Sequence, residues 1–273
     1  MCHVSGTTMG SGLAEAETSA GRTAVAEAGN VLARLGLVTA YGHVSARAGE
    51  HMLITPAADL AAVTASQVIA VPLDAAPPLT AAPPLDAAPP LTGAPPLTGA
   101  PLLTGAPLLP AGAPAEAWAH LALYRARPDA AAIARAQPAS AFAAAATTTS
   151  LVPLHGQAAW LGESIPVHDS ALLLRTPELA ERAARTLAGG EALLLRGNGA
   201  VTLGATPGLA VARMWILAAA CEVYLAARGV RETMGTGFGT PYSVTPLSAD
   251  EIASWRAVGG ELLPRLWQHL RRR

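Results

Sequence analysis

The chain has 273 residues, of which 51% are hydrophobic and 14% charged, and its formal net charge is −1. All 18 basic residues are arginines. Except for the last three residues of the chain, they are scattered along the sequence, so no basic stripe can follow a nucleic-acid backbone. Because the chain has no lysine, it cannot form a Schiff base with a carbonyl substrate or with pyridoxal phosphate, and this excludes lysine-dependent aldolases.

The first part of the chain predicts one helix followed by short strands. Apolar residues recur at helical spacing from about Ala14 to Leu35, and Gly36 is a suitable end for that helix. Two β-type runs follow between Val38 and Pro56, and the short polar stretch between them indicates a hairpin. A further short strand is predicted from Ser66 to Leu73.

A proline-rich segment from Ala75 to Ala113 interrupts this pattern. It repeats with a period of six residues, as in Pro77-Pro78-Leu79-Thr80-Ala81-Ala82, which is too short for a solenoid unit. Prolines lack backbone donors and favour extended chain over helix or sheet. We interpret the segment as a surface loop inside a single domain of residues 1–273, and a role as a ligand for a proline-recognition domain is the alternative.

The second part of the chain alternates helices with short apolar strands. The predicted elements are a helix Glu116–Arg127, an apolar run Ala130–Ala136, a helix Pro138–Ala146, strands Ile165–Val167 and Glu191–Leu195 around a helix Pro177–Leu187, a strand Ala200–Leu203, a long helix from Pro207 to about Ala227, and a final helix Ala249–Leu270. Helices at both ends of mostly antiparallel-compatible strands favour a layered α/β or α+β domain over a doubly wound one.

The cysteines and the apolar runs predict the cellular compartment of the protein. Cys2 and Cys221 are far apart and lack the spacing of a metal or redox site, which fits a reducing cytoplasm. We expect no run of about 20 apolar residues that could span a membrane, and the first twenty residues do not resemble a signal peptide. The low charge also predicts extensive burial in an oligomer.

Several short strings occur in an order that is typical of one family. They are Gly42-His43-Val44-Ser45-Ala46-Arg47 with Leu53-Ile54-Thr55-Pro56, Glu116 with His120 and Arg127-Pro128-Asp129, Gly162-Glu163-Ser164-Ile165-Pro166, and Leu195-Arg196-Gly197-Asn198-Gly199. Outside the proline-rich segment, nearly the whole chain resembles the class II aldolase/adducin family. This resemblance implies an α/β domain of three layers, with a central, mostly antiparallel sheet flanked by helices, and a homotetramer with active sites between subunits.

The chain departs from this family at its zinc site. In the family's aldolases two histidines follow the Arg-Pro-Asp turn, a third precedes a later glycine, and the three bind zinc. The matching positions are Ala134, Ala136 and Asn198. Alanine has no donor atom and an amide oxygen is a poor zinc ligand, so we expect no metal there and no other cofactor. A divalent metal at a relocated site formed by His43, Glu116 and His155 is the alternative.

The resemblance and the polar residues near these positions suggest roles for individual side chains. Glu116 matches the family's acid/base residue, while Arg135 and Asn198 could bind a carboxylate and stabilise an oxyanion. We expect further substrate contacts from the following residues: His43, Gln137, His155, Arg196 and Tyr242. The structural alternatives are a helix-start glutamate at Glu116, an ion pair at Arg135 and a turn residue with positive φ at Asn198.

These residues lead to a functional hypothesis. The family's serine pair that holds a phosphate is replaced by Pro114 and Ala115, so we expect a substrate without phosphate. The hypothesis is a lyase-like enzyme that carries out aldol cleavage or condensation, decarboxylation or dehydration on a carboxylate or hydroxy-carbonyl compound, in general or in specialised metabolism. The alternative is a non-catalytic scaffold that resembles the adducin head.

Overall fold

The computed structural model describes residues 8–38, 40–74, 109–234 and 244–273. Cys2, Tyr242 and residues 75–108 of the proline-rich segment lie outside these ranges, so what was expected of them stays a prediction. Leu109 and Ala113, at the end of that segment, are partly buried against the core.

The centre of the fold is a mixed sheet of eight strands. The strands are β1 His43–Ala48, β2 His51–Ile54, β3 Ile69–Pro72, β4 Ala132–Ala136, β5 Ser150–Leu151, β6 Ile165–His168, β7 Ala192–Leu195 and β8 Gly199–Gly204. Their order across the sheet is β3-β2-β1-β4-β8-β7-β6-β5. Only the β6–β7 pair is parallel among the described strands, so the prediction of a mostly antiparallel sheet is confirmed.

Helices cover both faces of this sheet. They are α1 Thr8–Arg34, α2 Ala117–Ala126, α3 Ala139–Ala145, α4 Pro177–Leu187, α5 Pro207–Met234, α6 Ala249–Ala257 and α7 Gly259–Leu270. The expectation of one C-terminal helix is wrong, because the helix is interrupted at Val258, before the pair Gly259 and Gly260. Glycine is a poor helix former, and Gly259 packs closely against the Trp160 ring.

Two apolar cores lie on opposite faces of the sheet. One contains residues of α1, α3 and α5, and the other contains residues of α2 and α4. Side chains alternate along β4, so Ala134 and Ala136 face the first core while Ile133 faces the second. The expected three layers are therefore confirmed, and Arg135 must lie on the α2 side of the sheet.

Helix α5 corrects one expectation about apolar segments. Its stretch Pro207–Gly229 is 23 residues long, and by length and composition alone it could cross a membrane. Half of its most apolar window of 18 residues is buried inside the protein, where α5 packs against β4, β8 and the helices α1 and α3. The role of α5 in the first core accounts for its apolar composition.

Candidate active site

A row of buried polar side chains separates α2 from the sheet. Glu116, which caps α2, is followed at intervals of four residues by His120 and Tyr124, so the three lie on one helix face. Opposite this face, His43 on β1 pairs in register with Arg135 on β4, which places both on the same face of the sheet. We call this row the polar seam; its members are His43, Ser45, Glu116, His120, Tyr124, Arg135 and Asn198.

Arg135 is the central charged group of the polar seam and is only 3% exposed. Its Nη2 lies 3.2 Å from Glu116 Oε2 and donates to both the backbone oxygen (3.2 Å) and Oδ1 (2.5 Å) of Asn198. Burial lowers the pKa of the Arg135 guanidinium, whereas the Glu116 carboxylate opposes that shift. The buried charges of Arg135 and Glu116 therefore compensate each other.

Asn198 reaches Arg135 because of the turn between β7 and β8. Gly197 and Gly199 on either side have φ of 66° and 88°, whereas Asn198 does not have a positive φ. The expectation that Asn198 could itself be the positive-φ residue is therefore wrong. A side chain at position 199 would place its Cβ 2.2 Å from the Ala136 oxygen, so the close contact between this turn and the end of β4 requires glycine.

Two hydrogen-bond donors of this cluster have no partner among the described residues. Arg135 Nη1 and Asn198 Nδ2 are buried and form no hydrogen bond within the described structure. Buried polar groups are nearly always paired, so unused donors point to a ligand or an ordered water. Both atoms belong to side chains within hydrogen-bonding distance of each other, close to the Glu116 carboxylate. Such donors suit a carboxylate or a developing oxyanion.

Two imidazoles extend the polar seam away from Arg135. The rings of His43 and His120 meet edge to face, with centroids 5.8 Å apart. Burial lowers the pKa of His120 to about 3, and the charge of Arg135 contributes to the same shift. The pKa of His43 is also lowered, by burial first and then by His120 and Arg135. Both rings are therefore neutral at pH 7, and His43 Nδ1 and His120 Nε2 have no partner among the described residues.

Ser45 and Arg47, which were not selected from the sequence, hold His120 and its neighbour Tyr124 in place. Ser45 Oγ lies 2.8 Å from both His120 Nδ1 and Tyr124 Oη. Arg47 donates to the Tyr124 backbone oxygen and lies over its ring. The four-residue spacing of Glu116, His120 and Tyr124 was the available signal for this arrangement.

The other expected substrate contacts lie in three different places. Gln137 is half-buried, and its Cα and Cγ pack against Gly199, next to Asn198. Arg196 is exposed and donates through Nε to Asp169. His155 precedes a 3-10 helix, Gly156–Leu161, whose buried Ala158, Trp160 and Leu161 belong to the core on the opposite face of the sheet. The structure therefore brings Gln137 near the cluster but does not bring His155 into the polar seam.

The three residues expected at the family's zinc positions do not form a common metal site, because Ala134 and Ala136 face away from Asn198. The side chains of Ala134 and Ala136 are fully buried methyl groups in the first core, and Asn198 Oδ1 already accepts from a guanidinium that would repel a cation. Within the described ranges, no group of three or more His, Cys, Asp or Glu side chains could hold a metal ion. The set His43, Glu116 and His155 is therefore not assembled as a ligand cluster.

Comparison with known proteins is consistent with this architecture. The sequence model of the class II aldolase and adducin N-terminal domain matches residues 23–225. No curated protein sequence gives a significant match.

Three solved structures illustrate the structural likeness. L-fuculose-1-phosphate aldolase from Thermus thermophilus is 25% identical, with a TM-score of 0.59 over 80% of this chain and 98% of its own. An aldolase II superfamily protein from Pseudomonas syringae is 20% identical, with a TM-score of 0.65 over 93% of this chain and 91% of its own. A sugar-phosphate aldolase from Thermotoga maritima is 17% identical, with a TM-score of 0.58 over 84% and 99%. The last two likenesses show the fold alone.

Proposed function

Because the chain belongs to the class II aldolase and adducin family, we propose that it is a lyase-like enzyme acting on a non-phosphorylated carboxylate or hydroxy-carbonyl compound. The reaction is an aldol cleavage or condensation, a decarboxylation or a dehydration. The observation that supports this most directly is the buried cluster of Glu116, Arg135 and Asn198, in which two donors have no partner in the described part of the chain.

All of these reactions place negative charge on an oxygen next to the reacting carbon. In an aldol cleavage a base removes the hydroxyl proton, the carbon–carbon bond breaks, and its electron pair passes into an enolate. Arg135 Nη1 and Asn198 Nδ2 are free to donate to that oxygen, and their positions are already held by the contacts of Arg135 Nη2. Preorganised donors of this kind favour the transition state over the substrate.

Glu116 is the proposed proton-transfer group. It is 8% exposed, and its carboxylate is fixed in place by the Arg135 guanidinium at 3.2 Å. A fixed carboxylate can take a proton from a substrate hydroxyl and return it to the product carbon. Arg135 therefore has two proposed roles, since it positions Glu116 through Nη2 and binds substrate through Nη1.

The proposed chemistry does not use zinc at the family's position. A guanidinium and an amide are proposed to stabilise the enolate-like charge that the family's aldolases stabilise with a metal. The alternative of a divalent metal bound elsewhere by His43, Glu116 and His155 predicts a different result, namely that a chelator abolishes turnover.

A non-catalytic scaffold is the second candidate, and one observation favours it. Arg135 Nη2 is fully engaged by oxygens of Glu116 and Asn198, as in an ion pair that only stabilises a fold. This candidate predicts that Glu116→Ala and Arg135→Ala leave the cellular role of the protein intact. It offers no use for the two unpaired donors.

The test is a turnover assay with hydroxy- and oxo-carboxylic acids as substrates. We expect wild-type turnover on at least one of them, and a loss of at least roughly 100-fold in Glu116→Gln, which keeps the shape of the side chain but removes its basic oxygen. Glu178→Gln, at an exposed position in the first turn of α4, is the matched control and should keep full activity. Equal turnover of wild type and Glu116→Gln would contradict the proposal.

We also propose that the protein is a cytoplasmic homotetramer that completes its site between subunits. The low content of charged residues, 14% of the chain, supports a large buried surface. Light scattering coupled to size exclusion should give a mass of four chains, and a monomer at micromolar concentration would contradict this assembly.

A further inference from the structure

A groove lies between the helices α6 and α7 and the 3-10 helix Gly156–Leu161. Its volume is about 600 Å³, which is within the range of sites that hold a ligand. Two indole rings, two leucines and two polar side chains contribute to its lining, namely Trp160, Trp255, Leu262, Leu266, Gln268 and Arg272. None of the described residues that line the groove belongs to the polar seam, so the groove is a second surface of the protein.

Trp255 is held in place in this groove although 39% of the residue is exposed. Its ring lies directly on Gly156, where an added Cβ would come within 2.3 Å of three ring carbons. The ring of Trp160 meets it edge to face, with centroids 6.1 Å apart, and Trp160 Nε1 donates to the Trp255 backbone oxygen at 2.7 Å. A large aromatic side chain that is fixed and still exposed is typical of a binding surface.

The polar groups of the groove favour a partner that accepts hydrogen bonds and carries little negative charge. Arg272 is exposed, and no carboxylate of the described ranges forms an ion pair with it. The amide of Gln268 and the indole N–H of Trp255 are further donors. Among the described residues that line the groove, none is acidic. A fitting partner is therefore apolar, rich in acceptors and weakly acidic.

The proline-rich segment of residues 75–108 has this composition. It consists of Pro, Leu, Ala, Thr and Gly, and Asp86 is its only charged residue. Proline has no backbone N–H, so each repeat has more backbone acceptors than donors. Proline-rich chains bind to grooves that are lined by aromatic rings. The segment and the groove are therefore complementary in charge, in hydrogen bonding and in apolar character.

The segment is long enough to reach the groove. The register of the strands places the ends of β3 and β8 at the same end of the sheet, four strand spacings or about 19 Å apart. After β8, Gly208 of α5 packs against Trp267, the neighbour of Gln268 in the groove. An extended proline-rich chain rises about 3.1 Å per residue, so the 12 residues from Asp74 to Asp86 can span about 37 Å.

We propose that this groove binds the proline-rich segment of the same chain, with Pro83 and Pro84 on the ring of Trp255 and with Asp86 next to Arg272. The other repeats have threonine at the position of Asp86, so the ion pair selects this repeat. The segment then covers a tryptophan that would otherwise face water. This docking surface is separate from the proposed lyase chemistry and does not depend on it.

The test uses a variant of the full chain in which a Gly-Ser linker of equal length replaces residues 75–108. In calorimetric titration, a synthetic peptide of residues 77–90 should bind this linker variant with a Kd on the order of 100 µM. In the wild type the tethered segment competes at an effective concentration of about 1 mM, so the peptide should bind about tenfold more weakly. Equal affinities of the two chains, or no binding to the linker variant, would overturn the proposal.

Substitution of the tryptophan tests where the peptide binds. Trp255→Ala in the linker variant should weaken peptide binding at least about tenfold, because the ring is the proposed anchor. Leu172→Ala is the matched control, since Leu172 is 59% exposed and lies outside the lining of the groove, and it should leave the affinity unchanged. Unchanged binding to Trp255→Ala would overturn the proposal. Far-ultraviolet circular dichroism checks that each variant is folded.

A double-mutant cycle tests the proposed ion pair. Arg272→Gln in the linker variant and Asp86→Asn in the peptide should each weaken binding about threefold, and the two together should weaken it no further. Arg185→Gln, which removes an exposed charge from the last turn of α4, should have no effect. Losses that multiply when the two changes are combined would overturn the pairing of Asp86 with Arg272.

Occupation of the groove by another molecule predicts a different result. If the segment of one chain binds the groove of a second chain, the linker variant should have a smaller mass than the wild type in light scattering. If the body of a second copy covers the groove, Trp255→Ala should lower that mass in the wild-type background. Either loss of mass would overturn the proposal, which predicts the same mass for all three chains.

Discussion

The two faces of strand β4 differ sharply although they share five consecutive residues. Ala132, Ala134 and Ala136 lie in a close-packed apolar core with α1, α3 and α5. Arg135, between them, lies on the other face in contact with Glu116 and Asn198. Ala134 and Ala136 thus serve only packing in this chain, while Arg135 between them carries the charge. Because side chains alternate along β4, its charged residue and its packing residues lie on opposite faces of the sheet.

The largest expected effect comes from removing the charge on the polar face. Arg135→Met leaves Glu116 buried without its partner, so the free energy of unfolding should fall by about 4 kcal/mol. Adding Glu116→Gln to this variant removes the unpaired charge and should recover much of the loss. Urea unfolding of both variants measures this difference. If Arg135→Met lowers the free energy of unfolding no more than the exposed substitution Arg185→Met, the charges of Arg135 and Glu116 are not coupled.

Acid should weaken the polar face before it affects the apolar one. His120 has a pKa of about 3 in the folded chain and 6.5 when unfolded, so the unfolded state binds more protons between these values. The stability it contributes is fully present above pH 6.5 and is lost as the pH falls toward 3. Between pH 6.5 and 5 the loss should be about 2 kcal/mol. The pKa of His43 is also lowered, so this residue contributes to the loss of stability in the same direction.

Urea unfolding at several pH values tests this window. His120→Gln should flatten the dependence between pH 6.5 and 5, whereas substitution of the exposed His51 by Gln should leave it unchanged. A wild-type stability that does not change between pH 7 and 5 would show that the buried rings are hydrated or paired in solution.

The apolar face should respond to volume instead of charge. Ala134 is fully buried, so Ala134→Leu must displace its neighbours and should lower the free energy of unfolding by about 2 kcal/mol. The Glu116–Arg135 pair lies on the other face and should keep its contacts. The measurement is urea unfolding together with turnover of the folded variant. A loss of turnover as large as that of Glu116→Gln would show that the two faces are not independent.

The smallest effect concerns the hydroxyl that helps to hold His120. Tyr124→Phe removes the 2.8 Å hydrogen bond to Ser45 but leaves the ring in the core, and it should cost about 1 kcal/mol of stability. Tyr41→Phe is the control, because Tyr41 is 68% exposed. Thermal unfolding of the two variants measures the difference. Equal melting temperatures would mean that Ser45 satisfies His120 without the tyrosine.

Local rules predicted much of the fold, but the contacts across the sheet required the structure. Helix α4 was predicted from its cap, and the Thr176 hydroxyl does accept from the Leu179 amide. The β1–β2 hairpin followed from alternating residues around Gly49, which has the positive φ of a turn. The break at Val258 depends on tertiary packing of Gly259 against Trp160 and has no local signal as strong.

The candidate site was predicted in part for the same reason. Glu116 was selected from the family resemblance, and Arg135 and Asn198 were selected as polar residues near the family's site. The structure brings the three within hydrogen-bonding distance. Arg196 was selected with them, but its side chain is paired with Asp169, which is 27 residues earlier in the chain. Whether a side chain next to a turn points toward or away from a site depends on partners that are distant in sequence.

Metal content is the most direct test of the proposal that donors of Arg135 and Asn198, and not a metal ion, stabilise the charge that develops in the reaction. The measurement is elemental analysis of the purified chain, followed by turnover of the same sample before and after EDTA. We predict far less than one divalent ion per chain and the same turnover in both samples. One tightly bound ion per chain, together with turnover that EDTA abolishes and the ion restores, would contradict the account.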